Sequence, residues 1–405
     1  MTPTGNDLPA ESSDGLRHAV RLLLLLSRID FNPAQRDHAR EVIQSFSEWK
    51  LFAGLAVRHG VAALVWQNII DLGLAGSVPE TEKTLLEGLR FKSIARVSWI
   101  TEAAAGVTAM LEKEGIKVVL LKGLALEHTV YGSKGLRQMS DADLLVAPSD
   151  ALKARDILVR EGFSSMPLKS PLYRNIILDL GNHLPELHRG GISVDLHYRL
   201  FGPEGGEMVA RAIEESEIIV SGERHFRVLP SMISFLALVS HIYKHEIKGE
   251  FQLRLWTDIY LLLERYGGRI MVPGLPAAAE EAGIPAETRI VLTVMEQVWG
   301  VMIPETMRAR TEEEQAKADR FLTDLAHPGA VESVSQREMF RRNLEALRST
   351  RKKMIFILGD VFPSVGFMKK RYGCRSSLSA VFHYPHRLGK LFWILGLSGA
   401  KNREN

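Results

Sequence analysis

The sequence predicts an α+β fold, a mixed-sheet core embedded between helical segments. Two observations predict it. Apolar residues recur at helical spacing from residue 16 to 115 and again from 231 onward. Between 116 and 230 the pattern changes to short β-rich runs alternating with helices and broken by glycine. The 405-residue chain is 46% hydrophobic and 24% charged, ordinary for a globular protein.

Residues 1–15, polar and acidic, read as a disordered tail with no basic-then-apolar leader. Residues 16–115 form an N-terminal helical segment. In "EWKLFAGLAVRHGVAALVWQNIIDLGL" the apolar positions Leu51, Leu55, Val61, Leu64 and Ile69 keep helical spacing. "VSWITEAAAGVTAMLEKEG" is a further helix, stopped by Gly115.

The α/β core spans residues 116–230. "IKVVLLKG" reads as a buried strand into a turn and "GLALEHTVYG" as a short helix. "DADLLVA" is a second strand closed by Pro148, and "SDALKARDILVREGF" a helix with Ser149 as N-cap and Gly162 as stop. Arg189-Gly190-Gly191 punctuates a hairpin. Along its second run Ile192, Val194, Leu196 and Tyr198 face one way, while Ser193, Asp195, His197 and Arg199 face a wet side.

Residues 231–310 form a helical domain and 311–405 a basic C-terminal helical tail. From Arg337 to Asn405, Lys and Arg outnumber Asp and Glu 15 to 4, although the whole chain is only +3. Such a tail suits an anionic partner, nucleic acid included, or the protein's own acidic body; a solvated helical face is the plain alternative. Cys374 is the single cysteine, which excludes an internal disulfide and a Cys/His zinc cluster and fits a cytoplasmic setting. The longest apolar runs, Leu22–Leu26 and the stretch around Leu391–Leu397, are too short to span a bilayer.

The chemistry concentrates on Asp141 and Asp143. Two apart on a strand, they share a face. Like charges side by side are unfavourable unless a cation lies between them, and Mg²⁺ takes carboxylates together with substrate phosphates. That pairing suits phosphoryl or nucleotidyl transfer. A pair of surface carboxylates at a strand end is the alternative. Asp195, on the polar face of a later strand, is placed to converge as a third carboxylate.

These residues resemble a known family. Leu121-Lys122-Gly123, Tyr131-Gly132, Leu136-Arg137 and then Asp141, Asp143 and Leu144-Leu145-Val146 follow the signature of a bacterial nucleotidyltransferase group within the polymerase-beta superfamily. "DLHYRL" (Asp195–Leu200) is similar too. The resemblance covers roughly residues 45 to 310. It implies a nucleotidyltransferase-fold core, a nucleotidyltransferase activity moving an NMP from an NTP such as ATP to a hydroxyl acceptor, and Mg²⁺ (or Mn²⁺) held by Asp141, Asp143 and Asp195. Asp195 would be a metal ligand or the base for the attacking hydroxyl. Lys122 and Gly123 stand where most of the superfamily has a Gly-Ser or Gly-Gly turn cradling the triphosphate. Lys244 is placed to reach the triphosphate from the helical domain. The acceptor class (small molecule, protein or RNA) is left open. A toxin-like tRNA nucleotidyltransferase and a non-catalytic nucleotide-binding descendant are the rival readings.

Other candidates have two readings each. Arg137 contacts phosphate or pairs with the aspartates. Ser140 contacts phosphate or caps the strand. His197 contacts substrate or supports the metal ligands, while His183 and His188 read as loop or strand histidines. His241 and His245 have zinc-ligand spacing but no evident third ligand and read as a polar helix face. Arg254 and Asp258 read as an intrahelical pair, and Trp256 and Tyr260 as core.

Overall fold

The structure, a computed structural model, describes residues 13–202, 206–327, 335–347 and 349–385. The expectations for residues 1–12 and for the apolar stretch at 391–397 lie outside these. The helical N-terminal segment comprises α1 (Asp14–Leu26), α2 (Pro33–Gln44), α3 (Trp49–Arg58), α4 (Ala62–Asp71) and α5 (Glu80–Lys113). Then follow β1 (Val119–Leu120), α6 (Lys122–Thr129), β2 (Asp141–Leu145), α7 (Ala151–Arg160), β3 (Ser164–Ser165), α8 (Ile177–Leu180), β4 (Leu187–Arg189), β5 (Ile192–His197), α9 (Gly206–Glu214), β6 (Glu217–Ser221) and β7 (Arg224–Val228). Helices complete the described chain: α10 (Ser231–Ile247), α11 (Leu253–Ile270), α12 (Leu275–Glu281), α13 (Pro285–Trp299), α14 (Glu312–Asp319), α15 (Phe321–Ala326), α16 (Gln336–Ala346), α17 (Thr350–Val361), α18 (Val365–Tyr372) and α19 (Ser377–Val381). Parallel and antiparallel strand pairs lie among the helices, as an α+β fold requires. No helix of the described residues is long and apolar enough to cross a membrane.

The described residues divide into two units, 13–145 with 200–327, and 146–199 with 335–385. The division differs from the sequence-based one at both ends. The stretch read as one core, 116–230, contributes to both units, and the stretch read as a basic tail is split between them.

In the first unit β1 runs antiparallel to β2 (Leu120 opposite Leu144) and parallel to β7 (Leu120 opposite Val228), and β7 pairs antiparallel with β6. The β6–β7 hairpin was not anticipated, although "EIIVSGERHFRV" carries the signal: Phe226 and Val228 are buried and Ile218 and Val220 exposed around a turn at Gly222. The long amphipathic run at 48–74 is two helices, because Gly60 adopts φ +69 beside the Arg254 side chain. Leu22, Leu23, Leu26, Phe52, Trp66 and Ile69 form the fully buried centre of the N-terminal helices. α1 is capped by the Ser13 side chain, so order begins before residue 16.

In the second unit β3, β4 and β5 form an antiparallel meander. Gly190 and Gly191 both have positive φ, +57 and +80, which lets a two-residue turn close the expected hairpin. α7 begins after Asp150, and no side chain caps it, so Ser149 does not play the expected role. Tyr173, Ile176, Leu347 and Phe356 form a buried cluster of this unit. Tyr173 stacks on Phe356 at 5.9 Å, and its hydroxyl donates to the Phe356 carbonyl at 3.1 Å. Gly359 gives that ring its space, since a Cβ there would collide with Tyr173. Thus α16 and α17 are packed elements, not an appendage.

His59, fully buried at the end of α3, ties three helices of the first unit. Its Nε2–H donates to the Leu325 carbonyl at 2.8 Å, its Nδ1 accepts from the Leu253 amide at 3.3 Å, and its own carbonyl accepts from the Arg254 amide. Both ring nitrogens are used by the neutral imidazole, and burial pulls its pKa down to about 4. A folded pKa below the unfolded value of about 6.5 means that the unfolded chain binds the proton first, so stability is lost as pH falls from about 6.5 towards 4. The window corresponds to about 3 kcal/mol. Denaturant titrations at pH 7 and pH 4 should show the stability advantage of the wild type over His59→Gln shrinking by about this amount; an unchanged advantage would remove His59 as the acid-sensitive tie.

Candidate active site

β2 begins with the aspartate pair. Its register with β1 is fixed by the two-residue ladder and by the Leu121 amide donating to the Asp143 carbonyl at 3.0 Å. Ala142 and Leu144 are fully buried on one face, which sends Asp141 and Asp143 to the other. Asp143 is 8% exposed and its Oδ1 accepts from Lys122 Nζ at 2.6 Å. Asp141 is less buried and accepts from the Ser140 hydroxyl at 2.9 Å. Burial first, and then the charge of Asp143, raise the Asp141 pKa. Ser140 therefore holds the carboxylate beside it.

Lys122 opens α6 with φ +48, a left-handed conformation that disfavours any side chain. Such strain costs of order 1 kcal/mol or more and here accompanies an ammonium turned onto Asp143. Gly123 has a different reason to be glycine. A Cβ there would lie 2.8 Å from the Arg137 guanidinium.

Arg137 does not meet the aspartate pair's carboxylates, nor does Asp258 pair with Arg254, as the sequence reading had supposed. Arg137 donates through Nε and Nη2 to the Asp258 carboxylate, at 3.1 and 2.5 Å, and through Nη1 to the Gln138 carbonyl. Asp258 is fully buried and also accepts from the Tyr131 hydroxyl at 2.9 Å. Arg254 instead donates to the Gln138 carbonyl at 2.6 Å and to the Gln252 side chain. A phosphate contact by Arg137 is therefore not the role its geometry supports, because its guanidinium is committed to this buried network. The Glu127 carboxylate, fully buried, accepts from the Gly135 and Arg137 amides, and burial pushes its pKa up to about 7 against those two donors. From α5, Ser93 and Arg96 donate to the Gly135 and Ser140 carbonyls. The loop between α6 and β2 is thus tied to α5, α6 and α11.

In the second unit β5 carries Asp195 and His197 on the expected polar face, but that face is not wet. Asp195 is 8% and His197 6% exposed. His183, passed over in the sequence reading, pairs with His197 in an isolated bridge. Its ring lies 5.2 Å from that of His197, and its Nδ1 is 3.9 Å from Asp195. Only backbone pairing across a loop brings it there. His188 is exposed, beside Glu186.

Each unit carries buried groups of the metal-ligating kind, Asp143 on β2 of the first and Asp195 and His197 on β5 of the second. The zinc reading of His241 and His245 gains no third ligand; His245 pairs with Glu250 at 2.6 Å. On α10, burial and then the Lys122 charge hold His241 well below its usual pKa. Burial, followed by the charges of Lys122 and Lys248, lowers Lys244 to about 8. Lys244 donates to the Leu200 carbonyl at 3.3 Å. His241 shares that helix face at i, i+3, a spacing visible in sequence.

Removing one partner of a buried ion pair leaves the other uncompensated. Asp258→Asn should destabilise the first unit by roughly 3–5 kcal/mol in equilibrium unfolding. Asp258→Glu, which keeps the charge, should recover part of the loss. If Asp258→Asn costs less than about 1 kcal/mol, the network is not the support described above.

Comparison with known proteins adds the family. No curated protein and no solved structure matches the chain. A family model described as an uncharacterised nucleotidyltransferase matches residues 45–300, from the N-terminal helices through β2 and β5 to the end of α13. With well over half of the sequence matched, the chain belongs to this nucleotidyltransferase family.

Proposed function

We propose that the protein is a metal-dependent nucleotidyltransferase moving an NMP from an NTP to a hydroxyl acceptor, with release of pyrophosphate. The observation that carries the reading is the family match over residues 45–300, with the buried Asp143, Asp195 and His197 inside it. The donor set fits a divalent ion. Two carboxylate donors suit Mg²⁺, and the imidazole makes Mn²⁺ equally acceptable. Asp143, Asp195 and His197 would hold it, with Asp141 completing the carboxylate set on the same strand face. When bound, the ion supplies charge neutralisation between the triphosphate and the incoming oxygen.

The remaining work falls to the chain. Lys122 and Lys244 supply positive charge for the phosphates, and the backbone at Gly123 and the Ser140 hydroxyl offer donors. Asp195, with His183 and His197 beside it, is the group to accept the acceptor's proton. In-line attack on the α-phosphorus then needs little more than positioning. The acceptor is a small molecule, a protein or an RNA.

One observation favours a second reading, a nucleotide-binding descendant without catalysis. The Lys122 ammonium already neutralises Asp143 at 2.6 Å. The two readings separate in one experiment. Purified protein is incubated with each α-labelled NTP, with Mg²⁺ or Mn²⁺, and with cell extract, and label transferred to any acceptor is counted. Transfer should require the metal and should fall by about a hundredfold or more in Asp143→Asn, which should remain folded by circular dichroism. Nucleotide binding by calorimetry without transfer under any condition would establish the second reading, and neither binding nor transfer would overturn both.

A further inference from the structure

A cavity of the first unit lies among α10, α11, α13, α14 and α15, with a volume of about 420 Å³. The volume is in the range of small-molecule sites. One wall is aromatic. Trp256 packs against Phe321 at 5.0 Å and Phe251 against Phe321 at 5.5 Å, and Ile242 and Val291 extend this apolar surface. The other wall is acidic. Glu246, Glu287, Glu313, Glu314 and Asp324 line the cavity against only Lys317 and Arg320. Two of these acids are already satisfied: Glu313 pairs with Lys317 at 2.8 Å, and Glu314 with Arg289 at 2.5 Å. Asp324 has only a long contact to Arg320, 3.9 Å. Among the described residues no donor lies within hydrogen-bonding distance of the Glu246 or Glu287 carboxylate.

We propose that this cavity binds a small organic cation, an amine or guanidine carried on a flat apolar body. The aromatic wall takes the flat body and the π faces favour a cation, while Glu246 and Glu287 supply the counter-charge. A metal ion does not fit the same features, since half the lining is apolar and the free carboxylates come from different helices. An anionic ligand would meet the net acidic lining. The cavity is separate from the Asp143 group. On α10 the cavity-lining Val239, Ile242 and Glu246 form one stripe, and His241 and Lys244 lie on the opposite one. Occupancy of the cavity and the placement of Lys244 are therefore linked through a single helix. The inference does not depend on the nucleotidyl-transfer reading.

The groups facing Glu246 are Asp324, Lys317, Arg320 and Glu287, and its own burial pushes its pKa up to about 7, with Asp324 adding to the rise. An ionised Glu246 is therefore more abundant above neutrality. The test uses tryptamine and phenethylamine as cationic probes, with indole-3-acetate and indole-3-ethanol as anionic and neutral controls, by isothermal titration calorimetry on the full chain. At least one amine should bind at least tenfold more tightly than the alcohol, with the acid weaker still. Its affinity should rise from pH 6 to pH 8, while the amines remain protonated. Glu246→Gln should weaken amine binding at least tenfold and flatten that rise, without lowering the melting temperature. Asp143→Asn should bind the amine as the wild type does, which keeps this test independent of the catalytic one. No heat from either amine at millimolar concentration would overturn the proposal. So would equal binding of the neutral alcohol, or an unaffected Glu246→Gln.

Discussion

The buried contact between Arg137 and Asp258 is the constraint on which the candidate active site depends. Arg137 belongs to the loop just before β2, and Asp258 to α11, more than a hundred residues later. An unpaired charge at either position would be strongly unfavourable, so each requires the other. The pair admits few alternatives in geometry. Gly123 leaves room for the guanidinium, Tyr131 donates a further hydrogen bond to Asp258, and Glu127 holds the loop backbone on both sides of Leu136. Once those bonds are made, the first residue of β2 has little freedom, and the two aspartates leave the sheet on one fixed face. The Leu-Arg preceding the Asp pair in the sequence is therefore best understood as the mount for the site, not as part of its contact surface.

The same logic explains the Lys122-Gly123 turn. Lys122 and Gly123 answer two different demands. The left-handed conformation at Lys122 would suit glycine better, so its side chain must repay the strain. The repayment on view is the 2.6 Å contact to Asp143, which relieves the repulsion of two carboxylates on one strand face. Gly123 is small for the guanidinium behind it. A turn built this way keeps a positive charge at the Asp143 carboxylate.

Much of this was readable without coordinates, but only where the signal is local. Strand parity placed Asp141 with Asp143 and Asp195 with His197, because alternation needs no knowledge of the partner strand. The hairpin at Gly190-Gly191 followed from turn chemistry. Parity also suggested that the polar face of β5 is wet, and that failed, because burial depends on what the fold lays over a face. Glu127, Asp258 and His183 take their places from neighbours on other elements, which local spacing does not show. Arg254 and Asp258 illustrate the hazard. Their i, i+4 spacing invites an intrahelical pair worth a few tenths of a kcal/mol, while a buried arginine from another element offers Asp258 far more.

The C-terminal charge shows the same limit from another side. Fifteen basic residues against four acidic ones from Arg337 onward look like a surface made for an anion. In the described part of that stretch, several of these charges have partners within their own unit. Lys352 pairs with Asp179 at 2.8 Å, Arg341 with Glu338 and Glu345, and Lys370 donates to the Ser165 carbonyl. Asp360, one of the few acids here, is held by Lys169 and by the Tyr173 hydroxyl. Meanwhile Phe356, Leu347 and Met368 are buried. A segment whose apolar side chains close a core cluster serves the fold whether or not anything binds its surface. Net charge constrains what such a surface repels more firmly than what it recruits.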